Sequence, residues 1–445
     1  MRGFRFGFLE SIRAFGFAAW LAAALAAALS LAPLTGAAQA AAAGAEDAPA
    51  SAALVALATT LRVLDERFIE SEAVAEVFSG GERARLEALA RAEGLAGLAP
   101  VLDEKLRALG WSHTRFVADG GFEHAFYRSL FETRDPDVPR IRHLRAFLRA
   151  RADGAQQVVH VAEGGPAARA GLRRGDLLRR ADGAPFDPPS DLAAETVELQ
   201  LERAGAVSTV TLRPEFSNPH RSLIEATRES VRIVEYRGRR FGYLHLWSGT
   251  HEALLAILDA AVLQRFAGVD GVLLDLRGGF GGAWHDYLDP FFGDRDAFFE
   301  VESVDRTGAI SRSQPGPRRP VGCFGGPMVV LIDRDTRSGK EALAFQFRKA
   351  SRAVLVGERT AGAFSAGLGT VGDGWFLFTA VAEPRLDGRR IEGVGVAPAL
   401  RVPWPVTGAA TVDPQFEQGL ATLAATLDTL ALEASSMPSP CARLP

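Results

Sequence analysis

The run Met328-Val329-Val330-Leu331-Ile332 is apolar at every position. A strand with one solvated face alternates with period two, so five consecutive apolar residues demand cover on both faces. The run is too short for a core helix and ends in a polar turn, which makes it an interior strand. Residues 230–435 repeat the theme. Strand candidates at Phe241–Trp247, Val272–Leu276, Ala353–Val356 and Trp375–Ala380 interleave with helix candidates at Glu252–Phe266 and Gly339–Lys349. A last amphipathic helix is expected near Pro414–Leu432. This order predicts an α/β layer with a largely buried sheet.

A chain of 445 residues has room for about two or three domains. From Ser51 to about Gly110 apolar residues recur at helical spacing (Leu54, Leu57, Leu61, then Leu86, Leu89, Leu95, Leu102), interrupted at Gly80-Gly81, which predicts a small helical unit. Ahead of it, Arg2, Arg5 and Arg13 precede an alanine-rich apolar run that ends in Ala38-Gln39-Ala40. A basic region, an apolar region and small residues at a cleavage position describe a secretory signal peptide cleaved after Ala40. The run is nearly long enough to span a bilayer, so a retained membrane tether is the alternative. Either way the bulk is exported, to a periplasmic or extracellular space. There Cys323 and Cys441, too few for a cysteine scaffold or a metal cluster, could pair. With 50 basic and 54 acidic side chains the net charge is −4, which leaves nucleic acid without an electrostatic case as a partner.

Residues 136–215 differ in texture. Short β-like runs (Val158–Val161, Val197–Leu201, Thr209–Leu212) surround Gly164-Gly165-Pro166-Ala167-Ala168-Arg169-Ala170-Gly171-Leu172-Arg173-Arg174-Gly175-Asp176. That stretch resembles the helix-and-turn motif of bacterial-protease PDZ domains, which bind an extended peptide at a sheet edge. The glycine-rich carboxylate loop of such domains is poorly matched by Arg142–Ala146.

Two strand ends carry the candidate chemistry. Beyond Ile332 the turn Asp333–Arg337 leads to Ser338, and a helix follows at once. Ser338 with Glu341 three residues on reads as a capping box. A serine at a helix N-terminus beyond a core strand is also where a nucleophile finds backbone N–H groups for an oxyanion. Beyond Leu273-Leu274-Asp275-Leu276-Arg277 comes Gly278-Gly279-Phe280-Gly281-Gly282, either a plain turn or a loop whose amides approach a ligand closely.

Taken in order, Asp275-Leu276-Arg277…Gly281-Gly282, Ser338…Glu341, Gly357-Glu358-Arg359-Thr360-Ala361-Gly362 and Glu392-Gly393-Val394-Gly395-Val396-Ala397-Pro398 resemble the serine peptidases that include the C-terminal processing (tail-specific) proteases and the tricorn core protease. The resemblance covers about residues 110–405. It implies a crotonase- or Clp-like layered α/β protease core, with Ser338 as nucleophile and the amides of Gly281 and Gly339 as oxyanion donors. It also places Gly282, Thr360 and Gly362 beside the substrate.

Processing proteases carry a general-base lysine just after "T-x-G"; here that position is Ala363. Only three lysines exist. Lys340 points away from Ser338 on a helix, Lys349 lies about 16 Å of helical rise along it, and Lys105 belongs to the helical unit. The tricorn branch uses a Ser-His pair before the PDZ domain and a late glutamate. Ser112-His113 and Glu392 stand at those places, which implies His113 as base, supported by Ser112 and Glu392. An unperturbed imidazole near 6.5 would then set the pH dependence, raised by Glu392 or lowered by burial.

The expected organisation is therefore a signal peptide (1–40), an N-terminal helical domain carrying Ser112-His113 (41–135), a β-rich PDZ-like domain (136–215), an α/β serine peptidase core (216–435) and a C-terminal tail (436–445). Polypeptides are the expected substrates, and no metal or cofactor is expected. The missing lysine keeps a second reading open, a catalytically silent relative that binds peptides or other ligands.

Overall fold

Five consecutive apolar residues make sense once the layers around them are seen. The computed structural model describes residues 48–118, 121–188, 190–406, 412–433 and 441. The expected signal peptide and, apart from Cys441, the expected tail lie outside these residues.

The chain enters through helices α1 (Ala48–Arg67), α2 (Ser71–Val77) and α3 (Glu82–Ala108), the last bent where Gly94 takes φ +64°. Their apolar stripes bury Leu57, Leu64, Leu86, Leu102 and Leu106 together with Trp375 and Leu377 from far along the sequence. The helical unit therefore shares its core with the late part of the chain. Strand β1 (Arg115–Ala118) and helix α4 (Phe122–Arg128) follow.

After β2 (Ile141–His143), the PDZ-like region contains β3 (Ala146–Ala150), β4 (Gln156–Val161), α5 (Pro166–Arg169), β5 (Leu177–Ala181), β6 (Ala184–Pro185), β7 (Val197–Arg203) and β8 (Ala206–Leu212). Its sheet runs β3-β4-β5-β7-β8, with β6 beside β5, around Leu144, Val158, Leu178, Leu199 and Leu201. Pro166 opens α5, as its fixed φ and missing N–H favour. Instead of a glycine-rich carboxylate loop, Arg145 is buried there. Its guanidinium bonds to Glu215 at 2.8 and 3.1 Å and to Glu225 at 2.9 Å. A cation already neutralised by the protein's own carboxylates is a poor receptor for a peptide terminus.

The core adds β9 (Glu215–Ser217), α6 (Pro219–Ser230), β10 (Arg232–Tyr236), β11 (Arg239–His245), α7 (Glu252–Ala260), β12 (Gly271–Asp275), β13 (Val301–Asp305), β14 (Ile310–Ser313), β15 (Met328–Ile332), α8 (Gly339–Lys349), β16 (Val354–Gly357), β17 (Ala366–Gly372), β18 (Trp375–Leu386), β19 (Arg389–Arg390), β20 (Leu400–Arg401) and α9 (Pro414–Glu433). One sheet has the order β10-β11-β12-β15-β16-β20 and is parallel from β11 onward. Alternate residues of β15 serve opposite faces. Val330 and Ile332 pack with Leu258 and Leu343 of α7 and α8, whereas Val329 and Leu331 pack with Leu420 and Leu423 of α9.

Two expectations need correction. Strand β18 is longer than Trp375–Ala380 and lies outside the parallel sheet; it centres a second, antiparallel sheet, β1-β18-β13-β14 with β17 and β19 beside β18. Its partners are non-local, so its own residues could not announce them. The helix expected at Glu252–Phe266 ends as an α-helix at Ala260 and closes in a π-turn, Ala261–Arg265.

Candidate active site

Parallel neighbours β12 and β15 are in register, with Asp275 beside Leu331, so the segments beyond their C-terminal ends emerge at the same edge of the sheet. Crevices at such edges are where α/β sheets hold ligands. Ser338 and the glycine loop meet there. A β-carbon on Gly281 would come within 2.4 Å of Ser338 Cβ and 3.0 Å of Ser338 Oγ, and one on Gly339 would stand 2.1 Å from the Ala283 carbonyl oxygen. Only glycine permits both approaches. Among the described residues, no group accepts a hydrogen bond from the N–H of Gly281 or Gly339. Two unengaged donors therefore flank Ser338.

Ser338 itself adopts φ +54° and ψ −131°, a costly conformation for a residue with a side chain. Its N–H donates to Ala363 O at 2.8 Å and lies 3.1 Å from Glu341 Oε2. Glu341 is fully buried and also accepts from Thr360 Oγ1 (2.6 Å), Gly362 N (2.8 Å) and Ala363 N (2.9 Å). Burial pushes its carboxyl up to about 7 against the pull of these donors. Thr360 and Gly362 were expected to touch substrate. They are buried instead, and their polar atoms clamp Glu341 and the Glu392–Val396 loop, with Thr360 Oγ1 accepting from Val396 N at 2.7 Å.

His113 reaches the same place from the segment between α3 and β1. Its Nδ1 lies 3.1 Å from both Ser112 Oγ and Ser365 Oγ. Ser112 Oγ donates to Glu392 Oε2 at 2.8 Å, and Ser112 N donates to Glu392 Oε1 at 2.8 Å. Phe364 N binds the same carboxylate at 2.5 Å. Phe378 packs perpendicular to the imidazole, with ring centroids 4.8 Å apart. Burial, with the Arg337 charge as a second cause, lowers the His113 pKa to about 3. Of the two opposing effects expected at this residue, desolvation wins, because Glu392 touches Ser112 and not the ring.

Ser338, His113, Gly282 and Gly339 line one cavity of about 80 Å³, closed by Phe131, Trp284, Phe364 and Phe378. Among the described residues no hydrogen bond links His113 to Ser338. A serine–base contact of this kind is often loose before substrate arrives. His285 does not join the site; it is buried against Phe299, with centroids 4.5 Å apart. His251 caps α7 by accepting from Ala253 N. Sequence reasoning missed Ser365, a lone serine in a loop whose significance lies in its position opposite a residue 252 places earlier. It also missed the aromatic walls.

The PDZ-like sheet rests on this edge of the core. Trp247 Nε1 donates to Glu163 at 2.5 Å, Phe147 stacks on Trp247 at 5.6 Å, and His160 Nε2 meets Asp335 at 3.1 Å.

Residues 240–402 match Peptidase family S41, and residues 157–198 match the PDZ domain family. Carboxyl-terminal-processing peptidase 2, chloroplastic, of Arabidopsis thaliana is 27% identical over 228 residues, covering 46% of this chain and 41% of that protein. Putative tricorn protease homolog 2 of Streptomyces coelicolor is 28% identical over 276 residues, covering 54% of this chain and 21% of that protein. The matched part thus spans less than half the length of either relative. The solved structure of the photosystem II D1 C-terminal processing protease shares the fold, with a TM-score of 0.50 at 20% identity over 83% of this chain and 96% of that one.

Proposed function

Since residues 240–402 match Peptidase family S41 and residues 157–198 match the PDZ domain family, we propose that the chain is an exported serine endopeptidase acting on polypeptides through an acyl-enzyme on Ser338. The observation that carries this reading is the cavity shared by Ser338 and His113, behind which Ser112 and Glu392 hold the imidazole.

The hydrogen bonds imply a tautomer. Ser112 Oγ has one proton and gives it to Glu392, so it accepts from His113 Nδ1–H, which leaves the lone pair on Nε2. Nε2 takes the Ser338 proton as Oγ adds to the scissile carbonyl carbon, and the carbonyl π pair moves to oxygen. The N–H groups of Gly281 and Gly339 receive that oxyanion. Collapse breaks the C–N bond, and the amine leaves with the proton from Nε2. Water then repeats the sequence at the acyl carbon and releases Ser338. Ser112, Ser365 and Glu392 orient the ring, while Gly282 and the aromatic walls receive a substrate side chain.

Strand β3 ends its sheet, which supports capture of an extended polypeptide by strand addition. The Cys323–Cys441 disulfide, with Cα atoms 5.7 Å apart, supports export to an oxidising compartment. A peptide-binding module without catalysis is the second reading, favoured by the absence of a His113–Ser338 hydrogen bond among the described residues. Labelling with a fluorophosphonate separates the two. The peptidase reading expects the label on Ser338 and its loss in His113→Ala; an unlabelled Ser338 in the intact protein supports the binding module.

A further inference from the structure

Lys340 stands second in α8 and has a relative exposure of 0%. A buried ammonium is costly unless its N–H groups find acceptors. Its Nζ donates to the carbonyl of Leu246 at 3.3 Å and to the carbonyl of Gly278. Leu246 continues the chain beyond β11, and Gly278 opens the glycine loop beyond β12. One side chain thus ties together the exits of two neighbouring strands. Burial lowers its pKa to about 7, opposed by Asp333 and Asp275. Both the ammonium and the neutral amine keep at least two N–H donors, so the tie survives either protonation state.

The loop needs such a tie. Gly278, Gly279 and Gly282 all take positive φ, and glycine runs lose the most conformational freedom on ordering. Farther along, the loop is held by Phe280 N on Trp247 O (2.9 Å) and by Gly249 N on Gly281 O (2.8 Å). Its entry is held by Gly278 N on Asp333 at 3.2 Å and by Lys340. Among the described residues Lys340 Nζ makes no hydrogen bond to Ser338; its bond to Gly278 O places it instead at the entry of the loop that carries the Gly281 N–H.

We propose that Lys340 is a positioning residue for the oxyanion site, fixing the entry of the glycine loop so that the Gly281 N–H stays aimed at the carbonyl attacked by Ser338. The proposal rests on the serine peptidase reading. It assigns Lys340 no proton transfer and no contact with substrate.

The test compares full-length wild type with Lys340→Met and Lys340→Gln, checking fold by circular dichroism. A peptide aldehyde serves as probe, because its adduct with Ser338 places an oxygen in the oxyanion site. For Lys340→Met we expect kcat to fall by about tenfold or more with KM within about twofold, a loss of the kind that follows removal of an oxyanion donor. The aldehyde Ki should rise by a similar factor. Affinity for the matching uncleaved peptide, measured on Ser338→Ala with and without Lys340→Met, should not change. Lys340→Gln retains N–H donors and should recover part of the loss. Near-normal kcat in Lys340→Met, or peptide affinity falling as much as aldehyde affinity, overturns the proposal. Should Lys340→Met fail to fold, Lys340→Gln decides, through the same Ki ratio and through amide exchange of residues 277–283. If wild type neither turns over peptide nor forms the adduct, the peptidase reading fails and the proposal falls with it.

Discussion

His113 sits in an apolar setting, walled by Phe378 and Phe364, with the Glu392 carboxylate reaching it through the Ser112 hydroxyl. Its imidazole is held down to about 3, by burial first and by the Arg337 cation second. The imidazole is therefore neutral across the whole neutral range, and the step at 6.5 expected of a free imidazole should be missing. In NMR spectra the His113 ring signals should stay constant from pH 8 to about 4.5. An ionisation near 6.5 would contradict the burial argument. Any inflection of kcat/KM near 7 belongs to Glu341 or Lys340, whose carboxyl and ammonium are both displaced to about 7 by burial. Glu341→Gln removes one of these titrations, and His113 contributes neither.

Among the secondary elements, the segment leading into β15 is fastened covalently. Cys323 precedes that strand and bonds to Cys441, 118 residues away, beyond the end of α9. Closing a loop of that length restricts the unfolded chain by about 4–5 kcal/mol in the chain-entropy description. Cys323→Ser should therefore lower Tm by several degrees or more in oxidising buffer, and adding reductant should bring wild type to the same Tm. Equal melting of wild type in both buffers would show that the loop closure contributes nothing. The expected effect is on stability, since neither cysteine lines the cavity of Ser338 and His113.

For the molecule as a whole, acid should be the vulnerable direction. His113, His143, His220 and His285 are all depressed by burial, to about 3 in the first and about 4 in the others. In the unfolded chain they protonate near 6.5, so their contribution is complete above that pH and is lost as pH falls toward the folded values. His245 has the opposite sign: its pKa is raised, so its contribution is present below 6.5 and lost above its folded value. Glu341, raised by burial to about 7, also opposes them, because its destabilisation is relieved as pH falls from 7 toward its ordinary value. Four against two, Tm should drop between pH 6.5 and 4, and a flat profile there would refute the balance. The seating of the PDZ-like sheet gives a second test. Glu163→Ala removes the acceptor for Trp247 Nε1 and the carboxylate beside His245. If that contact controls access of polypeptides, cleavage of a protein should change several-fold more than cleavage of a short peptide. Equal changes would mean that the contact supports the core itself.

Much of this arrangement is legible along the chain because it is local. Burial on both faces forces β15 to be apolar throughout; Ser338 and Glu341 sit three residues apart because one helical turn separates them; glycines mark the approach of one backbone to another. The identities of Ser112, His113 and Glu392 are also readable, but only through ordered resemblance, since no periodicity connects residues 280 positions apart. Tertiary structure alone settled three matters. Thr360 and Gly362 face inward because the buried Glu341 carboxylate needs donors. His113 is held well below its ordinary pKa because Phe131 from the π-turn after α4, Phe378 from β18 and Phe364 from the loop before β17 line its cavity. Lys340, dismissed by its helical position, gains its importance from two carbonyls that the parallel sheet brings together beneath it. In each case the deciding quantity is desolvation, which depends on what the rest of the chain stacks around a group and has no signature at the residue itself.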